Sequence, residues 1–593
     1  MPALIDPLIR IRQTPSRTAQ QIRGKERLYR SAFRPRCEMF QGVANLWCST
    51  FFAPDAQAVS PEEYQQALDA LSRNAHFRRL RSEQWFTMAD QRVQDRRVRA
   101  FHWELEFPEV FFDVSRQEAD GSFHRGFDAI IGNPPYDVLA ERELTRELPA
   151  DRAVDVCRFL ESFKRLIDTE PIYRPSKRGK NNLYKLFICR ALDLLAEGGR
   201  FGFIVPMALL GDDQAADVRR AMLDSGALTS VDAFPQKDDP SRRVFPEAKQ
   251  STSAFTMMRT TDDAARMTPF VSRQHPANRI EETSPSLTLQ TDHIPLYDPS
   301  NRNIVSCSQA DWDLAVKIMR SGRLVRMKNY AESFQGEVNE ANERPKGTIS
   351  YDQADGDEVI RGAHICLYTT RSASQGTPVF IRRAEFLSGK REGVKAFDHR
   401  FPRVGFQRKS PQNNFRRLIA CPIARDTFLL ESVSYVPAVK CRLPLEIVLA
   451  VLNSRLADWY FRLGSTNAMV SEYQFNNLPC PAFAQRRSDT DDALHKTRTA
   501  ALDAGRFDEA FRLLQPELDK PPFPLIVQDV LVQLVRRIIV IEEARGDIAR
   551  TERSRLADTA QPLQDLIDRL LYAMAGLSER EAAGLEERLS RML

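Results

Sequence analysis

The stretch GFDAIIGNPPYDV, residues 126–138, joins a short apolar run to an Asn-Pro-Pro-Tyr sequence. The run FDAIIG has the length and composition of a buried strand, and the two prolines end it. From there to about residue 265, short apolar runs alternate with amphipathic segments, a pattern typical of an α/β sheet with parallel strands. Such sheets bind ligands at the carboxyl ends of their strands. The stretch therefore predicts an α/β fold with a functional loop at residues 133–136.

This loop suits an amine that is a poor nucleophile, such as the exocyclic amine of adenine, whose lone pair is delocalised into the ring. The side-chain oxygen of Asn133 and the carbonyl of Pro134 can accept its two hydrogens, and Pro134 and Pro135 fix both acceptors in place. Tyr136 offers a flat face for a base flipped out of a duplex. Asn-Pro also starts ordinary turns, but the strand, Gly132 and the aromatic residue favour a catalytic loop.

The chain of 593 residues is long enough for several domains. Helical patterns fill residues 1–105, and Ser60 is placed to cap a helix that begins at Pro61. NNLYKLFICRALDLLAEGG predicts a helix that ends in a glycine cap, and LPLEIVLAVLNSRLADWYFRLG predicts one helix. Near the end, Ser578 and Glu581 form a capping box. The predicted domains are residues 1–105, 106–265, a linker at 266–300, 301–483, and a helical region at 484–593.

Bulk composition excludes several classes of protein. A net charge of +5 is only mildly basic and fits most globular proteins. No run is apolar enough to span a bilayer, and the first residues lack a secretory signal, so we expect a cytoplasmic protein without a membrane contact. The nine cysteines have no C-x-x-C pair and no metal-ligand spacing with the eight histidines, so we expect reduced thiols and no metal.

GFDAIIGNPPY resembles the catalytic motif of the amino-methyltransferases, in particular the large adenine-specific DNA methyltransferases of restriction-modification systems. FHWELEFPEVF, at residues 101–111, resembles their lead-in to this motif, and NNLYKLFICRALDLLAEGGRFGFIVPMALL resembles their next helix and strand. GEVNEANERPKG, EVIRGAHI, FRRLIACPI, LAVLNSRLADWYFR and FNNLPCPAF resemble the TaqI-type target-recognition domain of the same proteins, and LIDRLLYAMAGLSEREAAGLEE resembles their terminal helices. The resemblance covers residues 100–483 and 560–590 in the same order.

The resemblance implies a partial Rossmann-like methyltransferase sheet preceded by helices, then an α+β target-recognition domain and a helical C-terminal region. It implies methyl transfer from S-adenosylmethionine to adenine N6 in double-stranded DNA, within a restriction-modification or phage-defence system. Asn133, Pro134, Pro135 and Tyr136 would be catalytic, and Leu183, Tyr184 and Phe187 would shape the nucleotide pocket.

The cofactor loop of these methyltransferases, of the type D-P-A-C-G-S-G, is not found. The first hundred residues contain only Gly24 and Gly42 as glycines, and neither follows a strand. Without the cofactor half, the sheet would have an unpaired apolar edge that another polypeptide has to cover. The chain is then the C-terminal part of a longer or split methyltransferase, which we favour, or a decayed copy. If the methyltransferase is split, a second polypeptide supplies the S-adenosylmethionine site.

A basic stretch from residue 390 to 417 is interleaved with phenylalanines and predicts phosphate contacts, with solvated surface as the alternative for each residue. Its predicted DNA-binding residues are Lys395, Arg400, Arg403, Arg408, Lys409, Arg416 and Arg417. A nuclease pattern formed by Asp239, Glu247 and Lys249 we interpret as coincidental, because Glu247 follows a proline in a loop. Two other functions stay open: a DNA-recognition subunit without activity of its own, and a cytosine-N4 methyltransferase.

Overall fold

The computed structural model describes residues 2–53, 58–71, 74–95, 98–112, 125–351, 356–371, 378–411, 414–465, 468–484, 499–549 and 552–591. The chain divides into two compact units. The first unit contains Met1–Leu209, Gln214–Val271 and His275–Ile280, and the second contains Leu210–Asp213, Ser272–Gln274 and Glu281–Leu593. The change of unit at residue 280 lies inside the predicted linker.

The first unit begins with helices, as the sequence predicts. They are α1 (Pro2–Gln13), α2 (Ala19–Leu28), α3 (Arg34–Phe52), α4 (Pro61–Ala70), α5 (Asn74–Arg81), α6 (Gln84–Gln94), α7 (Trp103–Glu106) and α8 (Pro108–Phe111). Ser60 caps α4 as predicted, because its hydroxyl accepts from the Glu63 amide at 3.2 Å and the Glu63 carboxylate accepts from the Ser60 amide at 2.8 Å. Leu46, Phe77 and Phe86 join α3, α5 and α6 in one buried cluster.

The α/β part that follows confirms the predicted fold class. Its elements are β1 (Phe127–Gly132), α9 (Glu141–Thr145), α10 (Ala150–Thr169), α11 (Leu183–Leu194), β2 (Leu195–Pro206), α12 (Ala208–Gly211), α13 (Ala216–Ser225), β3 (Gly226–Phe234), β4 (Thr252–Arg259), α14 (Asp263–Arg266) and β5 (Phe270–Gln274). β1 pairs with β2 in parallel, whereas β4 lies antiparallel between β2 and β3. β1, β2 and β3 therefore run in the same direction, and their carboxyl ends meet at one edge of the sheet.

β1 lies at the end of the sheet, whose order begins β1-β2-β4-β3. Within the described ranges no strand pairs with the outer side of β1. Ile131 is 92% exposed, and Ala129 is also exposed. The described residues thus leave this edge of β1 open beside the Asn133 loop, and β1 is exposed where its apolar run predicts a buried strand.

Two predictions in this region are wrong. α11 ends at Leu194 without a glycine cap, because Leu195 already begins β2 and pairs with Phe127. Gly198, with φ +74°, lies in a bulge of β2, where the register jumps before Arg200 pairs with Ala129. The predicted linker at residues 266–300 is also not devoid of structure, because it contains β5, β6 (Ser286–Leu289) and α15 (Ile294–Tyr297).

The second unit mixes short strands and helices, which agrees with the predicted α+β module. Its further elements are α16 (Gln309–Arg320), β7 (Leu324–Arg326), β8 (Phe334–Gln335), α17 (Glu340–Glu343), β9 (Ile349–Ser350), β10 (Asp357–Ile360), β11 (Phe380–Ile381), α18 (Arg383–Leu387), β12 (Arg403–Gln407), β13 (Ala420–Ile423), β14 (Phe428–Leu429), β15 (Val433–Pro437), α19 (Leu445–Leu452), α20 (Arg455–Leu463), α21 (Glu472–Asn477) and β16 (Pro479–Pro481). The strands form two small sheets, β14-β10-β11-β9 and β13-β12-β15-β8, and a pair, β16-β7.

The single helix predicted for residues 443–464 is two helices, α19 and α20. Asn453 lies between them and exchanges two hydrogen bonds with the backbone of Ala420, at 2.9 and 3.0 Å. Ser454 then caps α20 by accepting from the Ala457 amide at 3.1 Å. The side chain of Asn453 thus bonds to a neighbouring strand instead of continuing the helix.

The chain ends in helices, as predicted: α22 (Phe507–Leu514), α23 (Leu525–Ala544), α24 (Gln561–Met574) and α25 (Glu579–Arg591). The predicted capping box opens α25, since Ser578 and Glu581 exchange hydrogen bonds at 2.8 and 3.3 Å. Arg455 of α20 forms ion pairs with Asp565 and Asp568 of α24 and with Glu586 of α25. The terminal helices are therefore part of the second unit.

Candidate active site

The Asn133 loop leaves the sheet at the carboxyl end of β1. Gly132 pairs with Phe203 of β2, and a Cβ at this glycine would lie 3.1 Å from the Phe203 ring, so glycine allows the two strands to approach. Asn133 and Pro135 are exposed, and Pro134 between them is buried. Asn133 is therefore accessible to a ligand next to a buried proline, and its catalytic role stays a prediction.

Residues 137–139, which follow the loop, are hydrogen-bonded to the residues at the start of α11. The Leu183 amide donates to the Asp137 carbonyl at 2.9 Å, and the Leu139 amide donates to the Asn181 carbonyl at 2.9 Å. These two bonds fix the far end of the loop, while β1 fixes its near end. The loop is therefore held at both ends by backbone hydrogen bonds.

Tyr136 is half-buried, and its position is fixed by a hydrogen bond. Its hydroxyl donates to the Ile204 carbonyl of β2 at 3.2 Å. Burial raises the pKa of Tyr136 to about 12, so the phenol stays neutral at physiological pH. The ring is thus a neutral, oriented aromatic surface beside the Asn133 amide.

A second aromatic ring stands next to Tyr136. The ring centroid of Phe245 lies 6.1 Å from that of Tyr136, and the two planes are inclined by 67°. Phe245 belongs to the loop of residues 235–251 between β3 and β4, which emerges at the same edge of the sheet. Phe245 is not among the site residues predicted from the sequence. Its only local signal is a single aromatic residue in a basic, proline-rich loop.

The same loop contains the pattern that resembles a nuclease. Asp239 accepts from the Ser241 amide at 2.9 Å and from the Ser241 hydroxyl at 2.7 Å, so it caps a short turn. Lys249 lies 3.5 Å from Asp238, and both side chains are exposed. Among the described residues no group of three or more His, Cys, Asp and Glu side chains is arranged to hold a metal ion.

The three predicted pocket residues lie on α11, on different sides of the helix. Leu183 is half-buried and is tied to the loop through its amide. Phe187, one turn further, is 46% exposed, whereas Tyr184 is 3% exposed and has almost no surface to offer a base. The roles of Leu183 and Phe187 in a nucleotide pocket stay predictions. A buried Tyr184 can affect such a pocket only through its packing in α11.

Four of the predicted DNA-binding residues have accessible side chains. Lys395, Arg400 and Lys409 are exposed, and Arg408 is half-buried. Arg400 forms an ion pair with Glu392 at 3.2 Å, in which both side chains are mostly exposed. Contact of these four residues with DNA phosphates stays a prediction.

For the other three the prediction of phosphate contact is wrong in this structure, because their guanidinium groups are buried. Arg403 pairs with Glu337 at 3.0 Å, and both side chains are fully buried. Arg416 donates to the Asn453 carbonyl at 2.7 Å, and Arg417 lies over the Phe461 ring at 5.0 Å. Burial lowers the pKa of Arg417 to about 10. These residues hold the second unit together.

Among the described residues, the first hundred supply no glycine-rich cradle for S-adenosylmethionine. A cofactor cradle needs glycines after a strand, where the backbone can approach the ligand. Gly24 lies within α2, and Gly42 lies within α3, packed against Phe77 and Phe86. Both early glycines therefore lie in helices, and among the described residues no strand pairs with the outer side of β1.

The sheet and the Asn133 loop at the carboxyl end of β1 form the α/β part of the chain. Residues 42–239 match the family model described as Eco57I restriction-modification methylase, which spans a third of the chain. The resemblance to restriction-modification methylases is thereby confirmed.

Solved structures of restriction-modification enzymes are also similar, at low identity. The Type IIL enzyme MmeI in complex with DNA matches at 9% identity and a TM-score of 0.43, over 78% of this chain and 57% of that one. The Type IIG restriction endonuclease BpuSI matches at 11% identity and a TM-score of 0.25, over 90% of this chain and 65% of that one. The chain thus spans less than two thirds of the length of either enzyme. No helix within the described ranges combines the length and apolarity that crossing a membrane requires.

Proposed function

We propose that this chain holds a flipped adenine of double-stranded DNA for methylation at N6, as part of a restriction-modification or phage-defence system. The observation that carries the proposal is the exposed Asn133 amide at the carboxyl end of β1, beside the oriented ring of Tyr136. The Asn133 oxygen and the Pro134 carbonyl accept the two amine hydrogens and localise the nitrogen lone pair. No strong base is needed, because the methyl donor is a sulfonium.

We further propose that a second polypeptide supplies S-adenosylmethionine. The open outer edge of β1 supports this, because a 92% exposed Ile131 on an unpaired edge is an aggregation hazard unless another strand covers it. A strand added there would place the loop that follows it at the same edge as Asn133.

The proposal is tested by single-molecule sequencing of genomic DNA from cells that express this chain together with the polypeptide encoded directly upstream. We expect N6-methyladenine at one defined sequence, and none when either polypeptide is absent. Detection of N4-methylcytosine instead at that sequence would show that the substrate is cytosine and not adenine.

A DNA-recognition subunit without activity of its own is the second candidate. The observation that favours it is the position of both early glycines inside helices, which leaves the described chain without a cofactor cradle. Sequence-specific DNA binding together with unmethylated genomic DNA under co-expression would support this function and contradict the first.

Replacing Tyr136 by alanine removes the ring on which the base stacks. Stacking on an aromatic residue contributes about 1–3 kcal/mol per base, so we expect binding of a flipped base to weaken by about tenfold or more. Tyr136→Phe keeps the ring and loses only the bond to Ile204, so it should lose much less. Equal losses for the two variants, measured by DNA-binding titration, would contradict a stacking role.

Replacing Arg408 and Lys409 by alanine should weaken DNA binding and flatten its dependence on salt. Each phosphate contact contributes about 0.9 to the slope of log K against log salt concentration, so the slope should fall by about 2. The control is Lys440→Ala, which removes an exposed lysine paired with Glu332 at 3.8 Å. An unchanged slope in the double variant would exclude these two residues from the interface.

A further inference from the structure

The loop that carries Phe245 has little regular structure of its own. Residues 235–251 connect β3 to β4, and they contain only a short turn, Pro240–Arg242, capped by Asp239. The loop nevertheless places the Phe245 ring edge-on to Tyr136. A loop of this length needs a further constraint to hold one side chain in a fixed position.

Arg243 supplies that constraint. Its side chain is enclosed by the loop and its guanidinium donates to three backbone carbonyls, those of Lys237, of Asp238 at 3.2 Å and of Pro246 at 2.9 Å. Only 8% of Arg243 is exposed. Lys237 and Asp238 lie before the turn, whereas Pro246 directly follows Phe245. The guanidinium therefore links the first residues of the loop, Lys237 and Asp238, to the residue that follows Phe245.

The planar guanidinium group explains why an arginine occupies position 243. Five N–H donors in a fixed geometry can serve three carbonyls at once, whereas a lysine ammonium acts as a compact point charge on a flexible stem. Because the acceptors are backbone carbonyls, the interaction depends on the loop conformation and not on a partner side chain. Arg242, its exposed neighbour, instead donates to the Pro276 carbonyl at 2.7 Å.

We propose that Arg243 is a positioning residue, which holds the Phe245 ring edge-on to Tyr136, so that a target base stacked on Tyr136 meets Phe245 at its edge. The proposal rests on the proposed function, because Arg243 acts on the same base-binding site. Arg243 itself does not touch the base. Its effect passes through the backbone of residues 244–246 to the Phe245 ring.

The test uses the full chain and a duplex of about 25 base pairs with one 2-aminopurine opposite a mismatched base, which is readily flipped. Anisotropy of an end label measures total DNA binding, and 2-aminopurine emission measures extrusion of the base. We expect Arg243→Gln to weaken the binding detected by emission about tenfold, equivalent to about 1.4 kcal/mol, and to leave anisotropy nearly unchanged. Phe245→Ala should have the same effect, with no further loss in the double variant.

Two further variants distinguish the effect of the Arg243 hydrogen-bond geometry from the effect of its positive charge. Arg242→Gln removes a positive charge at the adjacent position and should bind like the wild type in both measurements. Arg243→Lys keeps the charge but cannot serve three carbonyls, so it should not restore the emission signal.

An Arg243→Gln variant with wild-type emission would overturn the role of Arg243. Equal losses of anisotropy and emission would also overturn it, because they indicate a general structural role. Binding of the wild-type chain without any change in emission would instead contradict the base-binding site of the proposed function.

Discussion

Replacement of Asn133 by alanine should lower N6-adenine methylation by about a hundredfold or more, because it removes an acceptor that is preorganised for the reacting amine. The Asn133 side chain is exposed, so its loss creates no cavity and should leave the fold intact. The measurement is the methylated fraction of genomic sites in cells that express the chain with the proposed cofactor-binding polypeptide.

Asn342→Ala is the matched control for Asn133→Ala. It removes an exposed side-chain amide from α17, outside the candidate active site, and should retain full methylation. DNA affinity of the Asn133 variant should also stay close to that of the wild type, because the phosphate contacts are unchanged. Substantial methylation by Asn133→Ala would exclude the loop from the chemistry.

Replacement of Arg403 by methionine should destabilise the second unit by about 3–5 kcal/mol, because it leaves the Glu337 carboxylate buried without its partner. That carboxylate also accepts from the Leu429 amide at 3.2 Å, so it cannot turn to solvent without breaking the junction of β12 and β14. Amide hydrogen exchange of β12 and β15 measures the effect.

The loss in Arg403→Met should depend on pH. Burial raises the pKa of Glu337, and the Arg403 guanidinium opposes this rise. Without Arg403 the folded state prefers the protonated acid, so its stability falls as the pH rises and recovers as the pH falls. The destabilisation should therefore be smaller at acidic pH than at neutral pH.

Two controls test the buried pair. Arg403→Met combined with Glu337→Leu removes both charges and should recover most of the lost stability. Arg400→Met removes the exposed pair with Glu392 and the contact of the guanidinium with the Phe397 ring, and should cost about 1 kcal/mol or less. A similar small cost for Arg403→Met would show that the Arg403–Glu337 pair contributes little.

The features that the sequence predicts correctly are local. β1 and the loop after it are specified by a short apolar run followed by glycine and two prolines, and the helix starts at Ser60 and Ser578 are specified by a carboxylate three residues later. In each case the interacting groups are close together in the chain. Hydrophobic periodicity and capping chemistry therefore suffice.

The errors concern interactions between distant segments. Arg403 looks like surface in the sequence, because its partner Glu337 belongs to another segment of the chain. The split between α19 and α20 depends on bonds from Asn453 to Ala420, in a strand that precedes both helices. Phe245 reaches Tyr136 only because the sheet brings the ends of β1 and β3 to one edge. Such pairings have no local signature.

If a second polypeptide pairs with the outer edge of β1, methylation depends on the concentrations of both polypeptides. On the proposal of a divided active site, the rate depends on the product of two polypeptide concentrations. At low expression most copies of this chain would be unpaired, and methylation would rise steeply once the concentration of the partner passes the dissociation constant of the complex. Diluting the purified mixture should therefore lower the specific activity, and fusing the two chains through a flexible linker should abolish that dependence.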